Sequence, residues 1–80
     1  MTKQEIIDKL TLIAQETFEK PNLMLSQDMS KSMVDTWTSM TFMQLLASVE
    51  QQFGFKFKMM EIIQLQTIGD IIQSIQNHIA

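Results

Sequence analysis

The scarcity of turn-forming residues constrains this chain more than any other feature. Its 80 residues include only two Gly and one Pro, whereas folds built from short strands need such residues at every reversal of the chain. The apolar residues instead recur at spacings of three and four, the period of a helix buried along one side. The sequence predicts an all-α fold. A chain this short buries about 60% of its unfolded surface, so we expect a single domain over residues 1–80.

The first helix begins at a capping box. Thr2 and Glu5 have the Thr-x-x-Glu spacing in which the hydroxyl and the carboxylate each accept a free backbone N–H. We expect this helix to end at Lys20-Pro21-Asn22, because Pro disfavours helical geometry in the residue before it. From Glu19 to Thr38 no period is sustained, yet the segment is too apolar for a solvated linker. It is predicted to be a long packed loop that contains a helical turn at Ser30–Met33.

The second half of the chain predicts three further helices. One runs from Ser39 or Met40 to Phe53 and is closed by Gly54 as a left-handed residue. Its apolar side chains cover more than one face, which predicts a central helix with neighbours on several sides. An extended connector over 55–58, a short helix over 59–64 and a last helix capped by Thr67-x-x-Asp70 follow. The expected architecture is a small antiparallel four-helix bundle with a short third helix and a long first loop.

The sequence offers little from which to build a catalytic or metal site. There is no Cys, so disulfides, thiolate nucleophiles and Cys-based metal sites are all excluded. His78 is the only His and is expected to be solvated near a helix end, and the carboxylates are dispersed. No phosphate loop or calcium loop pattern occurs. We therefore expect a protein that is not an enzyme and holds no metal.

Charge and hydropathy limit the partners. A net charge of -3, with six scattered Lys and no Arg, gives no basic stripe, so nucleic acid and anionic membranes are not expected as partners. A mildly acidic surface favours a basic protein partner. The longest uncharged run, Thr36 to Val49, is too short to span a bilayer, and no signal peptide is recognisable at Met1. We expect a monomeric cytoplasmic protein without membrane insertion.

The hydroxyl pair Thr38-Ser39 stands directly before the most apolar helix and has two interpretations. Ser and Thr are common N-caps, so either residue would suit a purely structural role. A hydroxyl at a helix start is also well placed for an anionic group, because the free N–H groups and the helix dipole favour negative charge there. The eight Met residues are similarly open to two interpretations, as gap filling in a core or as an adaptable apolar pocket around Met40, Met43, Met59 and Met60.

The stretch WTSMTFMQLLASVEQQFGFKF resembles the acyl carrier protein family. Thr38-Ser39-Met40 corresponds to the Asp-Ser-Leu pattern that opens the second helix of that family, and Val49 to Gly54 corresponds to its acidic helix ending. The stretch EIIQLQTIGDIIQSI resembles the family's short third helix and the start of the fourth. The similarity covers Asp35 to Ile79 well, whereas Met1 to Val34 agrees only in helix position and loop length.

The resemblance implies a carrier. A phosphopantetheinyl transferase would move the 4'-phosphopantetheine of coenzyme A onto Ser39, with Thr38 and Met40 as its flanks, and the terminal thiol would hold an acyl group as a thioester. The contacts to the arm, its cargo or a partner would come from Trp37, Phe42, Met43, Leu46, Met59 and Ile63. The other implied partners are an acyl-activating ligase, an acyltransferase or a ketosynthase. The transferase would supply the base, so no activating residue is needed beside Ser39.

Two departures from the family pattern shape the functional prediction. Thr38 stands where Asp usually precedes the modified Ser, and Glu50 is the only charged residue between Met40 and Phe53. We therefore expect a freestanding carrier with dedicated partners in a specialised lipid or secondary-metabolite, polyketide-type pathway. An aminoacyl or peptidyl carrier uses the same chemistry and stays open. A helical interaction module with an unmodified Ser39, which binds through an exposed Phe or Met patch, is the alternative from a different class.

Overall fold

The computed structural model describes every residue from Met1 to Ala80 and contains four α-helices and no β-strand. The helices are α1 (Lys3–Thr17), α2 (Ser39–Phe53), α3 (Met59–Gln64) and α4 (Ile68–Ile79), and a 3₁₀ turn spans Lys31–Met33. The all-α fold class is confirmed. The short third helix and the helical turn within the long first loop also lie where the sequence predicts them.

Side-chain caps fix the starts of α1 and α4. The Thr2 hydroxyl accepts the Glu5 N–H at 3.1 Å, and the Glu5 carboxylate accepts the Thr2 N–H at 2.8 Å. The same reciprocal bonds join Thr67 and Asp70, whose carboxylate also accepts the Gln66 N–H at 2.9 Å. Both predicted capping boxes are therefore confirmed, and each satisfies N–H groups that a helix start leaves free.

The end of α1 is a correction to the sequence prediction. The helix ends at Thr17, before the Lys20-Pro21 step, and Glu19 adopts a left-handed conformation with φ of 56°. The Lys20 N–H then bonds the Gln15 carbonyl at 2.9 Å, which closes the helix end. The last residue of the apolar stripe, Phe18, is completely buried. The chain therefore turns as soon as this ring is anchored, and the effect of Pro on its neighbour is not what ends the helix.

The core centres on α1, which corrects the prediction that α2 is the central helix. α1 packs against both α2 and α4, and α2 buries Leu45, Leu46 and Val49 on one side. Phe42 and Phe53 are half-buried, whereas Met40, Met43 and Ala47 are exposed. The buried hydrophobic residues are Ile6, Leu10, Ala14, Phe18, Val34, Trp37, Leu45, Leu46, Val49, Phe57, Ile68, Ile71, Ile72 and Ile75. One outer face of α2 is consequently left without a neighbour inside the chain.

The connector between α2 and α3 is extended and held by a carboxylate. Gly54 has φ of 76°, the left-handed geometry predicted for it, and its N–H bonds the Glu50 carbonyl at 2.9 Å. One carboxylate oxygen of Glu50 accepts the Phe57 N–H at 2.7 Å. The rings of Phe55 and Phe57 meet edge to face with centroids 4.9 Å apart. The connector therefore anchors two Phe rings, as the sequence predicts, and engages the only carboxylate of α2.

His78 is a structural residue, which corrects the expectation that it is solvated. Its Nε2 lies 2.7 Å from Oε2 of Glu61, and its ring stacks on Phe55 with centroids 4.3 Å apart. The same carboxylate oxygen accepts the Ser74 hydroxyl at 3.0 Å, and its other oxygen accepts the Lys58 N–H at 2.7 Å. Glu61 therefore connects the short α3 to α4. A helix of six residues is unstable alone, so α3 depends on such contacts.

Acid should weaken the hydrogen bonds that the Glu61 carboxylate accepts. The Lys58 N–H bond, with further hydrogen bonds from His78 and Ser74, holds the pKa of Glu61 below its ordinary value of 4.5. A lowered pKa in the folded state means that the stabilisation is complete above that ordinary value and is lost as the pH falls through the folded pKa. We expect Glu61→Gln to lower the thermal midpoint at pH 7, and the difference from the unchanged protein to shrink below about pH 4.5. Glu16→Gln, on an exposed carboxylate without side-chain partners, is the matched control. A difference that is constant with pH would contradict the assignment.

Gly69 allows the first loop to reach the start of α4. Its N–H bonds the Gln27 carbonyl at 2.9 Å, the Ile68 N–H bonds the Met29 carbonyl at 2.9 Å, and Ser30 pairs with Thr67 in an isolated bridge. A Cβ on Gly69 would lie 2.9 Å from the same Gln27 oxygen. The contact atom belongs to the backbone and cannot rotate away. This clamp therefore fixes the loop ahead of Lys31 against α4.

The clamp predicts the sign of the stability change in Gly69→Ala. Helix propensity alone would make Gly69→Ala stabilising by about 1 kcal/mol, whereas the contact with the Gln27 carbonyl predicts a net loss of about 1–2 kcal/mol. Urea unfolding measures the sign directly. Amide exchange should accelerate at Ile68 and residue 69 in the variant, and a stabilised protein with slow exchange there would contradict the clamp.

Candidate attachment site

Thr38 and Ser39, either of which could be the N-cap by sequence, occupy different positions at the start of α2. Thr38 is the N-cap of α2: its hydroxyl accepts the Thr41 N–H at 3.1 Å, and the Thr41 hydroxyl accepts the Thr38 N–H at 2.8 Å. Ser39 is the first residue of the helix. Thr38 thus provides the cap that Asp would provide at this position and lacks only its charge.

The Ser39 hydroxyl is unengaged. Its side chain is exposed, and none of the hydrogen bonds in the chain uses its hydroxyl. No imidazole is available to activate it, because His78 is paired with Glu61 on another part of the fold. The hydroxyl stands at the positive end of α2, where an anionic substituent gains about 0.3–1 kcal/mol. The arrangement suits a serine that is modified by another protein.

An aromatic stack supports the site from below. Trp37 is 5% exposed and lies between two rings, with its centroid 5.3 Å from that of Phe18 and 6.0 Å from that of Phe42. Thr36 donates its hydroxyl to the Phe18 carbonyl at 2.6 Å, and Thr41 donates to the Thr36 carbonyl at 2.7 Å. These contacts tie the residues before α2 to the end of α1, so Ser39 sits on a rigid base.

A small cleft of about 140 Å³ opens beside Ser39. It is lined by Lys31, Trp37, Thr38, Ser39, Phe42, Leu65 and Gln66. The sequence did not identify Lys31, Leu65 or Gln66, since they are distant from Ser39 along the chain. The clamp between the first loop and α4 brings them together, and the one sequence signal for it, the lone Gly69 inside a helical pattern, does not reveal its partner.

The other predicted contact residues separate into two groups. Met40 and Met43 on α2, and Met59 and Ile63 on α3, are exposed and do not line the cleft. Leu46 is 2% exposed and belongs to the core, so it can contact cargo only if the cargo enters the core. Phe42 is half-buried on the Trp37 ring and lines the cleft beside Ser39.

The outward stripe of α2 carries no charge. It consists of Met40, Met43, Gln44, Ala47 and Gln51, which are all exposed and follow the helical repeat. Glu50 is occupied by the Phe57 N–H. Asp35, the nearest carboxylate before Ser39 in the sequence, forms an ion pair of 2.8 Å with Lys20, and the hydrogen bond from that ammonium lowers the pKa of Asp35.

No three His, Asp or Glu side chains come together as metal ligands would. None of the helices combines the length and the hydropathy that a membrane crossing requires.

A small helical bundle that presents an unengaged serine at the start of its second long helix has the features of a carrier domain. The profile of the family described as "Phosphopantetheine attachment site" matches residues 8–75, and the chain belongs to this phosphopantetheine-binding family of carrier proteins. It is a non-catalytic carrier, and its prosthetic group is covalently attached 4'-phosphopantetheine.

A solved structure agrees with this assignment. The solution NMR structure of a holo acyl carrier protein from Geobacter metallireducens superposes with a TM-score of 0.83 and 28% sequence identity. The match covers 89% of this chain and 82% of the other. A search of curated proteins gives no match.

Proposed function

We propose that this chain is an acyl carrier protein that holds 4'-phosphopantetheine on Ser39. The observation that carries the proposal is that the two neighbouring hydroxyls at the start of α2 differ in their hydrogen bonding. Thr38 alone caps the helix, whereas the Ser39 hydroxyl is exposed and has no partner. If the Ser39 hydroxyl served only as a cap, it would accept a hydrogen bond from an N–H group of the first helical turn. The position falls within the part of the chain that matches the attachment-site family.

The reaction needs little from this chain beyond presentation. The Ser39 oxygen attacks the phosphorus next to the pantetheine in coenzyme A and forms a phosphodiester. The P–O bond to the other half of the pyrophosphate breaks, adenosine 3',5'-bisphosphate leaves, and the serine proton passes to a base of the transferase. Once attached, the group supplies a thiol that carries cargo as a thioester. The helix start then favours the phosphodiester charge.

The residues present fit the group. Beside the exposed hydroxyl lie an ammonium from Lys31, an amide from Gln66 and an apolar wall of Trp37, Phe42 and Leu65. These match in kind the phosphate, the amides and the dimethyl carbons of phosphopantetheine. Met40, Met43, Met59 and Ile63 are exposed for contacts to cargo or partners. A contact between cargo and Leu46 requires the cargo to enter the core, since that side chain is buried.

The proposal extends to a cytoplasmic carrier in a specialised lipid or secondary-metabolite pathway, acting as one domain over residues 1–80. Support for acyl cargo is the similarity to a holo acyl carrier protein. Support for dedicated partners is the uncharged α2 stripe. The partners are a phosphopantetheinyl transferase and the ligase, acyltransferase or ketosynthase that load and use the arm. Aminoacyl cargo on the same arm is the alternative, and a thioester assay with candidate ligases distinguishes the two.

Attachment is tested by mass. The apo protein is incubated with coenzyme A and each of several broad-specificity phosphopantetheinyl transferases. We expect one phosphopantetheine adduct per chain, and fragmentation should place it on Ser39. No adduct with any transferase would overturn the proposal and favour an unmodified interaction module.

The uncharged stripe predicts a low sensitivity to salt. Charges at the rim of an interface set the encounter rate, and salt screens them. We expect kcat/KM for modification to change by less than about twofold between about 0.05 M and 0.5 M salt. Met43→Glu should introduce a salt dependence, whereas Met43→Gln should not. A steep dependence in the unchanged protein would show that charges elsewhere on the chain govern docking.

A further inference from the structure

The cleft beside Ser39 contains one charged group. Among its lining residues only Lys31 has a basic or acidic side chain. The only ion pair formed by a lysine joins Lys20 to Asp35, so the Lys31 ammonium has no acidic partner. A free cation beside Ser39 contrasts with a net charge of -3 and with the uncharged stripe on α2.

The backbone of Lys31 is fixed although its side chain is exposed. Lys31 is the first residue of the 3₁₀ turn, and Ser30 before it pairs with Thr67. Met29, two residues before Lys31 in the loop, accepts the Ile68 N–H at its carbonyl. The clamp thus places the base of the lysine side chain opposite the end of the segment that carries Leu65 and Gln66. Because its backbone is fixed, Lys31 can extend its ammonium toward an anion at Ser39 without prior ordering of the loop.

We propose that Lys31 pairs with the phosphodiester on Ser39 and that the cleft holds the adjoining part of the pantetheine arm. The inference rests on the proposed attachment at Ser39. Trp37, Phe42 and Leu65 offer an apolar wall, and the Gln66 amide can donate to and accept from an amide of the arm. The volume of about 140 Å³ is below the range of about 300–1,000 Å³ of sites that enclose a whole ligand. Only the segment next to the phosphate is therefore seated, and the thiol end stays free for enzymes.

The ion pair with Lys31 orients the arm and is not needed for attachment. The phosphodiester bears a full negative charge at neutral pH, and its pairing with an ammonium is screened by salt because both groups are exposed. The seated arm should therefore be populated at low salt and partly released at high salt. Lys31 is a positioning residue, since it touches the group and takes no part in its transfer.

The test uses the holo protein and NMR. We expect nuclear Overhauser contacts from the dimethyl protons of the arm to the Phe42 ring and the Leu65 methyls at low salt. The contacts should be lost in Lys31→Gln, retained in Lys31→Arg, and unchanged in Lys3→Gln, the control for a change of net charge. The ³¹P shift should move with salt in the unchanged protein and not in Lys31→Gln.

The outcomes separate this inference from the proposed function. An adduct on Ser39 whose arm shows no contacts with the cleft overturns the seating of the arm alone. Contacts that persist unaltered in Lys31→Gln overturn the role of the lysine. Absence of any adduct on Ser39 overturns the proposed function and with it this inference. Spectra of the apo variants confirm folding, which the exposed position of Lys31 should not affect.

Discussion

Replacement of Ser39 by Ala should abolish phosphopantetheine attachment completely while leaving the stability of the protein unchanged. The hydroxyl is exposed and has no hydrogen-bond partner, so its removal costs no interaction within the fold. Ala is also a good helix former. We expect the free energy of unfolding to stay within about 0.5 kcal/mol of the unchanged protein. Intact mass after incubation with coenzyme A and transferase measures the loss of attachment, and urea unfolding measures stability.

Thr38→Ala is the matched control and should behave in the opposite way. This change removes the cap hydroxyl that accepts the Thr41 N–H, which costs about 1 kcal/mol, within a range of about 0.5–2. The adduct should still form on Ser39. Thr38→Asp should keep the cap and add the charge that Thr lacks, so a transferase that recognises that charge should act faster. An adduct that survives in Ser39→Ala, or that disappears only in Thr38→Ala, would move the attachment point away from Ser39.

This pair of variants matters because two neighbouring hydroxyls cannot be assigned from the sequence alone. Both Thr and Ser are favoured at an N-cap, and the start of the helix was predicted only as Ser39 or Met40. The structure places the cap at Thr38 through its reciprocal bonds with Thr41. Modification of Ser39 would therefore leave the helix start intact, since the cap does not use the Ser39 oxygen.

Local signals predicted most of the fold. The capping boxes at Thr2 and Thr67, the left-handed Gly54 and the apolar periods each depend on residues within a few positions of one another. The features that the sequence did not predict depend on contacts across the chain. The Glu19 turn follows from the anchoring of Phe18, and the pairing of His78 with Glu61 follows from where α3 lies against α4.

The candidate site divides in the same way. The candidate attachment motif, Thr38-Ser39-Met40, is contiguous and was predicted from its resemblance to a family. Lys31, Leu65 and Gln66 reach the cleft only because Gln27 and Met29 bond the start of α4. The burial of Leu46 was not predicted, because the sequence of an apolar helix does not show which of its faces is covered until the position of α1 is known.

Replacement of Trp37 by Ala should be the most destabilising change near the site. The indole is nearly buried between Phe18 and Phe42 and joins the segment before α2 to the end of α1. Truncation of a buried Trp to Ala costs about 3–5 kcal/mol, a large share of the roughly 5–15 kcal/mol that stabilises a small domain. Urea unfolding should show a lower midpoint, and amide exchange should accelerate in the first turn of α2.

Two control variants separate the stack from general effects. Trp37→Phe should lose much less stability, because a ring still stacks there. Met40→Ala, on an exposed side chain, should change stability by less than about 0.5 kcal/mol. If Trp37→Ala were as stable as Met40→Ala, the stack would not be what supports Ser39, and the rigid base of the attachment site would have to come from the hydroxyl bonds of Thr36 and Thr41 alone.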